Sequence, residues 1–224
     1  MKNREGTLTE LFDSDKEITM LLDERRQATR YLRGLGIEIG PSHLPIEVDR
    51  RCCDIIYVDR LSASQMEARF PELSEARIVF PNVICDVAAE GLRCFADERL
   101  DFVIASHLLE HLPNPLGFLK ESHRVLSNLG IFYLVVPDKD YTFDRDRQKT
   151  PLAHIVQDLE NNTVTVDESH LIDFLVHAAK KAIPNDPVER TRLFERELER
   201  SIHVHVWTWE DVVELLRYMI IHEG

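Results

Sequence analysis

Three residues near the start of the chain, Glu38, Gly40 and Asp59, have the types and spacing needed to bind a nucleoside. A glycine turn after an apolar strand lets the backbone come close to a ligand. An acid about 20 residues further on, at the end of the next strand, can accept hydrogen bonds from ribose hydroxyls. Asp59 stands at that distance from Gly40. The same pattern is also compatible with an ordinary turn followed by a surface aspartate.

The turn after the first strand lacks most of the glycines of a dinucleotide-binding loop. Pro41, Ser42 and His43 follow Gly40, so the second and third glycines of G-x-G-x-x-G are absent. Those glycines let a pyrophosphate reach the backbone and let the helix pack on the strand. The sequence therefore favours a nucleoside without a pyrophosphate and counts against a nicotinamide-dependent oxidoreductase.

Alternating apolar strands and helices are predicted to position these residues. We expect a strand ending at Glu38 and Gly40, then a turn and a helix, then a strand ending at Asp59. Unbroken apolar strands that alternate with helices indicate a parallel sheet covered on both faces. The further elements predicted from apolar runs and helical periodicity are strands at 78–84, 100–105 and 131–136, a short helix at 106–112 and an amphipathic helix over 116–126.

Four motifs together resemble class I S-adenosylmethionine-dependent methyltransferases. They are EIG, YVD, CD and DFVIASHLLEHLPNPLGFLKESHRVLSNLGIFYLVVPD, which span roughly Leu35 to Asp138. The pattern EHL…P…L.E..RVL…G in the last of them recurs in small-molecule members of that superfamily. The later VPDKDYTFDRDR and HVHVWTWEDV resemble bacterial members found beside glycan-synthesis enzymes. The first motif departs from the family's D/E-x-G-x-G-x-G, because Ser42 stands at the second glycine.

The resemblance implies a fold and an activity. The fold is α/β, a Rossmann-like, mostly parallel sheet with helices on both faces and a helical insertion after strand 5. The activity is methyl transfer from S-adenosylmethionine to a small molecule or glycan, with oxygen favoured as the acceptor atom. Glu38 and Gly40 would line the methionine end of the cofactor, and Asp59 would bind the ribose hydroxyls. Asp86 would accept the adenine amine, with Val87 beside the ring.

The methyl-transfer step is expected at the end of the fourth strand. The resemblance places Ala105 and Ser106 under the sulfonium. Holding the reactants in near-attack geometry can lower the activation barrier by about 7–11 kcal/mol. A hydroxyl acceptor also needs a general base, and an imidazole titrates near working pH. His107, His111 and His43 are the candidates; His111 is equally compatible with a packing role in the short helix.

A different chemistry is compatible with the same segment. His107 to His111 matches H-x-x-E-H, the inverted zinc-peptidase motif, whose two histidines share a helix face. That motif requires a sustained helix, and Pro113 interrupts it, so we predict no metal site there. His203 and His205 are spaced to face one side of a strand, a pattern more often structural or substrate-facing than metal-binding. Glu189, Glu195 and Glu197 are the candidates for the acidic third ligand that the H-x-x-E-H motif of a peptidase needs.

Composition limits the classes of partner. The 224-residue chain carries a net charge of −13, which argues against unaided binding of nucleic acid. Its four cysteines show no C-x-x-C spacing and indicate neither a zinc site nor a disulfide framework. The polar start of the sequence does not resemble a signal peptide, and no apolar run approaches the ~20 residues of a membrane span. A cytoplasmic enzyme is expected.

The chain is predicted to have four segments. In the related family two more strands ordinarily follow the last helix, so the sequence predicts a truncated protein or a five-stranded version with an exposed edge. Such an edge could pair with a second copy to form a homodimer. A methyltransferase-like partner module without catalysis is the second hypothesis, favoured by Pro41 and Ser42. The segments are an N-terminal helical segment at 1–33, a cofactor-binding core at 34–139, a helical insertion or lid at 140–205 and a C-terminal helix at 206–224.

Overall fold

A computed structural model describes residues 27–73 and 75–222 of the chain. Its described strands form one sheet in the order β3-β2-β1-β4-β5, and every neighbouring pair is parallel. The predicted parallel α/β sheet is therefore confirmed. The strands are β1 (Gly34–Ile39), β2 (Cys53–Asp59), β3 (Val83–Ile84), β4 (Leu100–Ser106) and β5 (Leu126–Val135).

Helices follow most of the strands, and three of them lie in the insertion after β5. None of the helices in the described part of the chain is both long and apolar enough to cross a bilayer. A π-helix at Phe174–Ala178 continues α5, and short 3-10 turns lie at Pro71–Leu73, Leu109–His111 and Lys139–Tyr141. The α-helices are α1 (Ala63–Arg69), α2 (Val87–Glu90), α3 (Pro115–Val125), α4 (Leu152–Glu160), α5 (Glu168–Asp173), α6 (Pro187–Glu199) and α7 (Trp209–His222).

The core lies on both faces of the sheet because strands alternate their side chains. In β4, Val103 faces a large apolar cluster that includes residues of α3, α4 and α7. Phe102 and Ile104 face a smaller cluster with Leu32 and Ile46 on the opposite side. Both faces of the central strands are thus removed from water, as the unbroken apolar runs predicted.

The prediction of a helix between Gly40 and Asp59 is wrong. Residues 40–52 form turns and irregular structure instead. Pro41 and Pro45 remove two backbone donors from this short segment, which disfavours a helix. The Ile46 N–H donates to Oε1 of Glu38 at 2.8 Å, so a buried carboxylate satisfies the backbone where a helix would have done so.

Two other expectations differ from the structure or cannot be compared with it. The predicted N-terminal helix lies mostly outside the described residues, of which 27–29 are helical. Strand β5 begins at Leu126, directly after α3, and not at Ile131. Residues 127–130, which separate the predicted helix from the predicted strand, belong to the strand, and Leu129 there has a φ of +67°.

The insertion after β5 is helical, and a buried arginine attaches it to the rest of the chain. The Arg147 guanidinium donates to Asp144 at 2.8 Å, to Asp173 at 2.7 Å and to the carbonyl of His203 at 2.9 Å. Its side chain is 1% exposed. A planar guanidinium with five donors can serve several acceptors in fixed directions. The start of the insertion, the end of α5 and the segment before α7 therefore meet at one residue.

Two substitutions distinguish a steric clash from backbone strain: Gly36→Ala tests the clash, and Gly40→Ala tests the strain. A Cβ at Gly36 would lie 2.2 Å from the ring of Phe102, whereas a Cβ at Gly40 would meet nothing within 4 Å. Gly40 has a φ of +66°, so alanine there is strained without a clash. We expect the free energy of unfolding to fall by about 3 kcal/mol for Gly36→Ala and by about 1 kcal/mol for Gly40→Ala. Urea denaturation measures both, and an equal or smaller loss at Gly36 would contradict the packing described.

Candidate functional site

Strand register brings the carboxyl ends of β1, β2 and β3 to one edge of the sheet. Ile39 pairs with Val58, and the N–H of Gly40 then donates to the carbonyl of Val58 at 2.8 Å. On the next strand, the N–H of Cys85 donates to the carbonyl of Asp59 at 2.9 Å. Three predicted cofactor residues, at positions 40, 59 and 86, are therefore adjacent across the sheet, where parallel sheets bind their ligands.

A cavity of about 320 Å³ opens at this edge. Gly40, Asp59 and Asp86 form part of its wall on the side of the sheet. Val166 of the insertion and Ile202, which precedes α7, contribute to the other side. The volume lies at the lower end of the range of about 300–1,000 Å³ typical of small-molecule sites. The cavity thus lies between the sheet and the insertion.

The loop after β1 keeps a glycine-like backbone at two positions. Gly40 has a φ of +66° and open space where a side chain would be, so a ligand can approach its backbone. Ser42, at the position of the family's second glycine, has a φ of +47°. Replacement of that glycine has therefore not changed the backbone region that a glycine would favour, although it adds a hydroxymethyl group.

Asp59 is a buried carboxylate at the wall of the cavity. It is 8% exposed, and its Oδ1 accepts a hydrogen bond from the N–H of Leu61 at 3.0 Å. Burial raises the pKa of Asp59, while the Leu61 N–H and the charge of Arg60 oppose that rise. A carboxylate offers about four acceptor positions. Asp59 therefore retains the capacity to accept hydrogen bonds from ligand hydroxyls.

Asp86 and Val87 lie beside Asp59 at the start of α2. Asp86 caps this helix, because its Oδ1 accepts the N–H of Ala88 at 3.1 Å. Val87 is 8% exposed, and both residues line the cavity. An acceptor and an apolar side chain are thus neighbours here, as a bound adenine ring would require.

Three other predicted cofactor residues do not line this cavity. Glu38 is 1% exposed, and its Oε1 accepts the N–H of Ile46, so it holds the loop that follows Gly40. Ala105 is completely buried within β4, and Ser106 is half-buried at its end. All three lie near Ile39, which lines the cavity: Glu38 precedes it, Ala105 pairs with it on β4, and Ser106 follows Ala105.

The two histidines of the H-x-x-E-H segment lie in different environments. His107 has a φ of +52° and a side chain that is 49% exposed, with Nδ1 3.4 Å from Oε1 of Glu110. Only Leu109–His111 form a 3-10 turn, so His107 and His111 do not share a face of an α-helix. The arrangement required by a zinc peptidase is therefore not formed. The third candidate base, His43, lies with Nδ1 3.2 Å from Oγ of Ser42.

His111 lines the cavity and presents a defined tautomer. Its Nδ1 lies 2.9 Å from the carbonyl oxygen of Ile202, which can only accept, so Nδ1 carries the proton. Nε2 then holds the lone pair. Burial lowers the pKa of His111, partly offset by the negative charge of Glu110. His111 is therefore neutral at pH 7 and has the protonation state of a general base.

A second histidine beside His111 was not among the catalytic residues predicted from the sequence. The ring of His203 lies 4.7 Å from that of His111, and its Nδ1 lies 2.5 Å from Oδ2 of Asp144. Burial by itself would raise the pKa of Asp144, but hydrogen bonds and charge from His203 and Arg147 bring it below its usual value. The motifs FDRDR and HVHVW contain these residues. Their pairing across 59 positions could not be read from spacing.

Glu110 lies between these histidines. It is 1% exposed, and neither carboxylate oxygen makes a hydrogen bond within the described part of the chain. Its nearest basic groups are Nδ1 of His107 at 3.4 Å and Nε2 of His203 at 3.9 Å. Glu110 and His203 thus both lie close to His111.

The topology defines a Rossmann-like α/β domain with a cavity at the carboxyl edge of its sheet. Residues 35–134 match the model of a family described as "Methyltransferase domain". This segment of the chain is similar to that family, and the match supports the predicted family, enzyme class and cofactor. No curated protein sequence gives a significant match to the chain.

Several solved methyltransferase structures are similar to the chain. An S-adenosylmethionine-dependent methyltransferase from Thermotoga maritima is 18% identical over 91% of this chain and 74% of its own, with a TM-score of 0.41. An S-adenosylmethionine-dependent methyltransferase from Archaeoglobus fulgidus is 17% identical over 79% of this chain and 66% of its own, with a TM-score of 0.39. The carbon methyltransferase of CurJ is 17% identical over 51% and 34%, with a TM-score of 0.35. In six of the solved chains, the match spans between 32% and 66% of their length.

His111→Gln is expected to weaken the pH dependence of stability in acid. The folded-state pKa of His111 lies below its unfolded value, so below about pH 6.5 the unfolded chain binds a proton that the folded chain does not. Stability is therefore lost as the pH falls. Removing this group should reduce the loss by up to about 1.4 kcal/mol per pH unit.

The measurement is urea denaturation at pH 7, 6 and 5. His123→Gln is the matched control, because it makes the same chemical change on an exposed position of α3. Equal pH slopes in wild type and His111→Gln would contradict a buried, neutral His111.

Proposed function

We propose that this protein transfers the methyl group of S-adenosylmethionine to a hydroxyl of a small molecule or glycan. The observation that carries the proposal is the cavity that joins Gly40, Asp59 and Asp86 to His111. These residues supply one wall suited to a nucleoside and, in the same space, an imidazole with a free lone pair. The predicted cytoplasmic location stays a prediction.

The residues present fit S-adenosylmethionine. When bound, it supplies a methyl group on a positively charged sulfur. Asp59 would accept hydrogen bonds from the ribose hydroxyls, and Asp86 would accept the adenine amine beside Val87. Gly40 leaves the space for the methionine end to approach the backbone. Glu38 would act as a positioning residue, because it holds the loop that Gly40 begins.

The acceptor is proposed to bind between the sheet and the insertion. Val164, Val166 and Leu198 give this part of the cavity an apolar surface. His111 would take the proton of the acceptor hydroxyl on Nε2 while the new C–O bond forms and the C–S bond breaks. His107, half-exposed just after β4, is proposed to contact the acceptor. Ala105 and Ser106, which do not line the cavity, are proposed to support the site from the end of β4.

His203 would support His111 rather than contact the substrate. Its Nδ1 is held by Asp144, which is itself fixed by Arg147. This fixes the orientation of the His203 ring, whose centroid is 4.7 Å from that of His111. A base is effective only when it is held in one productive geometry.

A partner module without catalysis is the second candidate function. The observation in its favour is Ser42, whose side chain occupies the place of the family's second glycine. The partner-module function would be preferred if the folded protein failed to bind the cofactor. A homodimer through the edge strand β5 fits either function.

Asp59→Asn is expected to weaken binding of S-adenosylmethionine and S-adenosylhomocysteine. Losing charged hydrogen bonds to the ribose hydroxyls costs about 1.5–3 kcal/mol, or roughly a 10- to 100-fold rise in Kd. Isothermal titration calorimetry of both ligands measures this. Asp54→Asn is the matched control, because Asp54 lies on the same strand with an exposed side chain. If the folded wild-type protein binds neither ligand, the enzyme proposal is wrong. If Asp59→Asn binds both ligands as tightly as wild type, Asp59 does not contact the ribose.

His111→Gln is expected to lower the rate of methyl transfer without changing cofactor affinity. Removing a general base slows such a step by roughly 10²- to 10⁴-fold. The measurement is formation of S-adenosylhomocysteine with a panel of hydroxylated small molecules and glycans, alongside calorimetry with the cofactor. A variant that keeps the wild-type kcat would remove His111 from the mechanism.

A further inference from the structure

A cluster of histidines on the side of the insertion lies outside the proposed methyl-transfer site. His154, His170 and His205 each offer a ring nitrogen, and these atoms all lie within 4.8 Å of one another. Their ring centroids are separated by 5.1, 5.5 and 5.8 Å. His154 comes from α4, His170 from α5 and His205 from the segment before α7. Three separate parts of the chain thus direct imidazoles to one point.

A carboxylate completes the cluster. Oδ2 of Asp158, one turn after His154 on α4, lies 3.4 Å from Nε2 of His154 and 3.8 Å from Nε2 of His205. In a tetrahedral zinc site with bonds of about 2.0–2.2 Å, neighbouring ligand atoms lie roughly 3.4 Å apart. Nε2 of His154 and Oδ2 of Asp158 are therefore already separated by the distance between two zinc ligands.

The hydrogen bonds within the described part of the chain leave this cluster unsatisfied. Nε2 of His154, Oδ2 of Asp158 and Nδ1 of His205 are buried and have no hydrogen-bond partner there. The side chain of His205 is fully buried, and that of Asp158 is 13% exposed. Buried polar atoms are ordinarily paired or coordinate a metal. A cation between them would give the lone pairs of His154 and Asp158 a partner.

His170 has the outer partner that metal-bound histidines usually have. Its Nδ1 lies 3.1 Å from Oδ1 of Asp167, which accepts a hydrogen bond from Nδ1–H and so leaves the lone pair of Nε2 for a metal ion. The same Oδ1 also accepts the N–H of Ser169 at 2.8 Å as the cap of α5. The capping residue therefore fixes the direction of the imidazole.

We propose that His154, His170, His205 and Asp158 form a structural site for a zinc-type divalent cation. Three imidazoles and one carboxylate suit Zn²⁺, and four protein ligands close the coordination shell, as in structural sites. Nε2 of His205 lies 3.4 Å from the carbonyl oxygen of Pro113, which can only accept, so Nδ1 holds the lone pair and would be the ligand atom. Pro113 and Val204 line the methyl-transfer cavity. The ion would tie α4 and α5 to the segment behind that cavity wall.

The test is metal binding by the full chain, which does not depend on cofactor or activity. The metal-stripped protein is titrated with Zn²⁺ against a chromophoric chelator and with Co²⁺ by visible absorption, which reports tetrahedral coordination. We expect one tight equivalent, a rise in Tm with Zn²⁺, and a more than ~100-fold weaker Kd in His154→Gln and His170→Gln. Asp167→Asn, which removes only an outer partner, should weaken binding by roughly 10- to 100-fold.

His177→Gln is the matched control, because His177 is exposed on the π-helix that continues α5. It should bind Zn²⁺ like wild type. The proposal is overturned if the folded wild-type protein binds no stoichiometric Zn²⁺, or if His154→Gln and His170→Gln bind it normally. It is also overturned if His203→Gln alone abolishes binding, since the ion would then lie in the neighbouring cluster of Glu110, His111 and His203.

Discussion

The parallel pairing of β1 on both of its sides is the constraint on which the rest of the structure depends. Ile39 pairs with Val58 of β2 and with Ala105 of β4, so the ends of three strands are fixed relative to one another. A shift by one residue would turn every buried side chain to the opposite face. Gly36 strengthens this register, because only a residue without a side chain fits against the ring of Phe102. The wall of the cavity on the side of the sheet follows from this pairing.

The other side of the cavity depends on a segment without regular secondary structure. Residues 201–208 are held by backbone hydrogen bonds to three distant parts of the chain. The N–H of Val204 donates to the carbonyl of Glu110 at 2.7 Å, the N–H of Lys139 to Trp207 at 2.9 Å and the N–H of Thr150 to Val206 at 2.7 Å. Because these bonds satisfy its backbone, the segment can be buried without forming a strand.

This segment separates two histidines that the sequence places two positions apart. His203 pairs with Asp144 and lies against His111, whereas His205 lies with His154 and His170. The first group belongs to the proposed chemistry and the second to the proposed cation site. Arg147 connects them, since it donates to Asp144 and to the carbonyls of His203 and Val204. A buried charge with several partners is costly to disrupt, so this arginine fixes both groups.

Much of the fold could be predicted because it depends on local patterns. Apolar runs predicted the strands, although only Val83–Ile84 of the strand predicted at 78–84 forms. The spacing of Gly40 and Asp59 predicted neighbouring strand ends, since a parallel unit brings them to one edge. The helix predicted after Gly40 was wrong, because a tertiary contact from Glu38 satisfies the backbone of that loop.

The sequence by itself determined the parallel sheet, the resemblance to the methyltransferase family and the residues that meet at the carboxyl edge of the sheet, because these follow from periodicity and short motifs. Only the tertiary structure decided which histidines meet which carboxylates. Asp144 and His203 are 59 positions apart, and Asp158 reaches His205 from another helix. Such pairs form where packed elements cross, and the crossing is set by the burial of whole faces rather than by any local pattern.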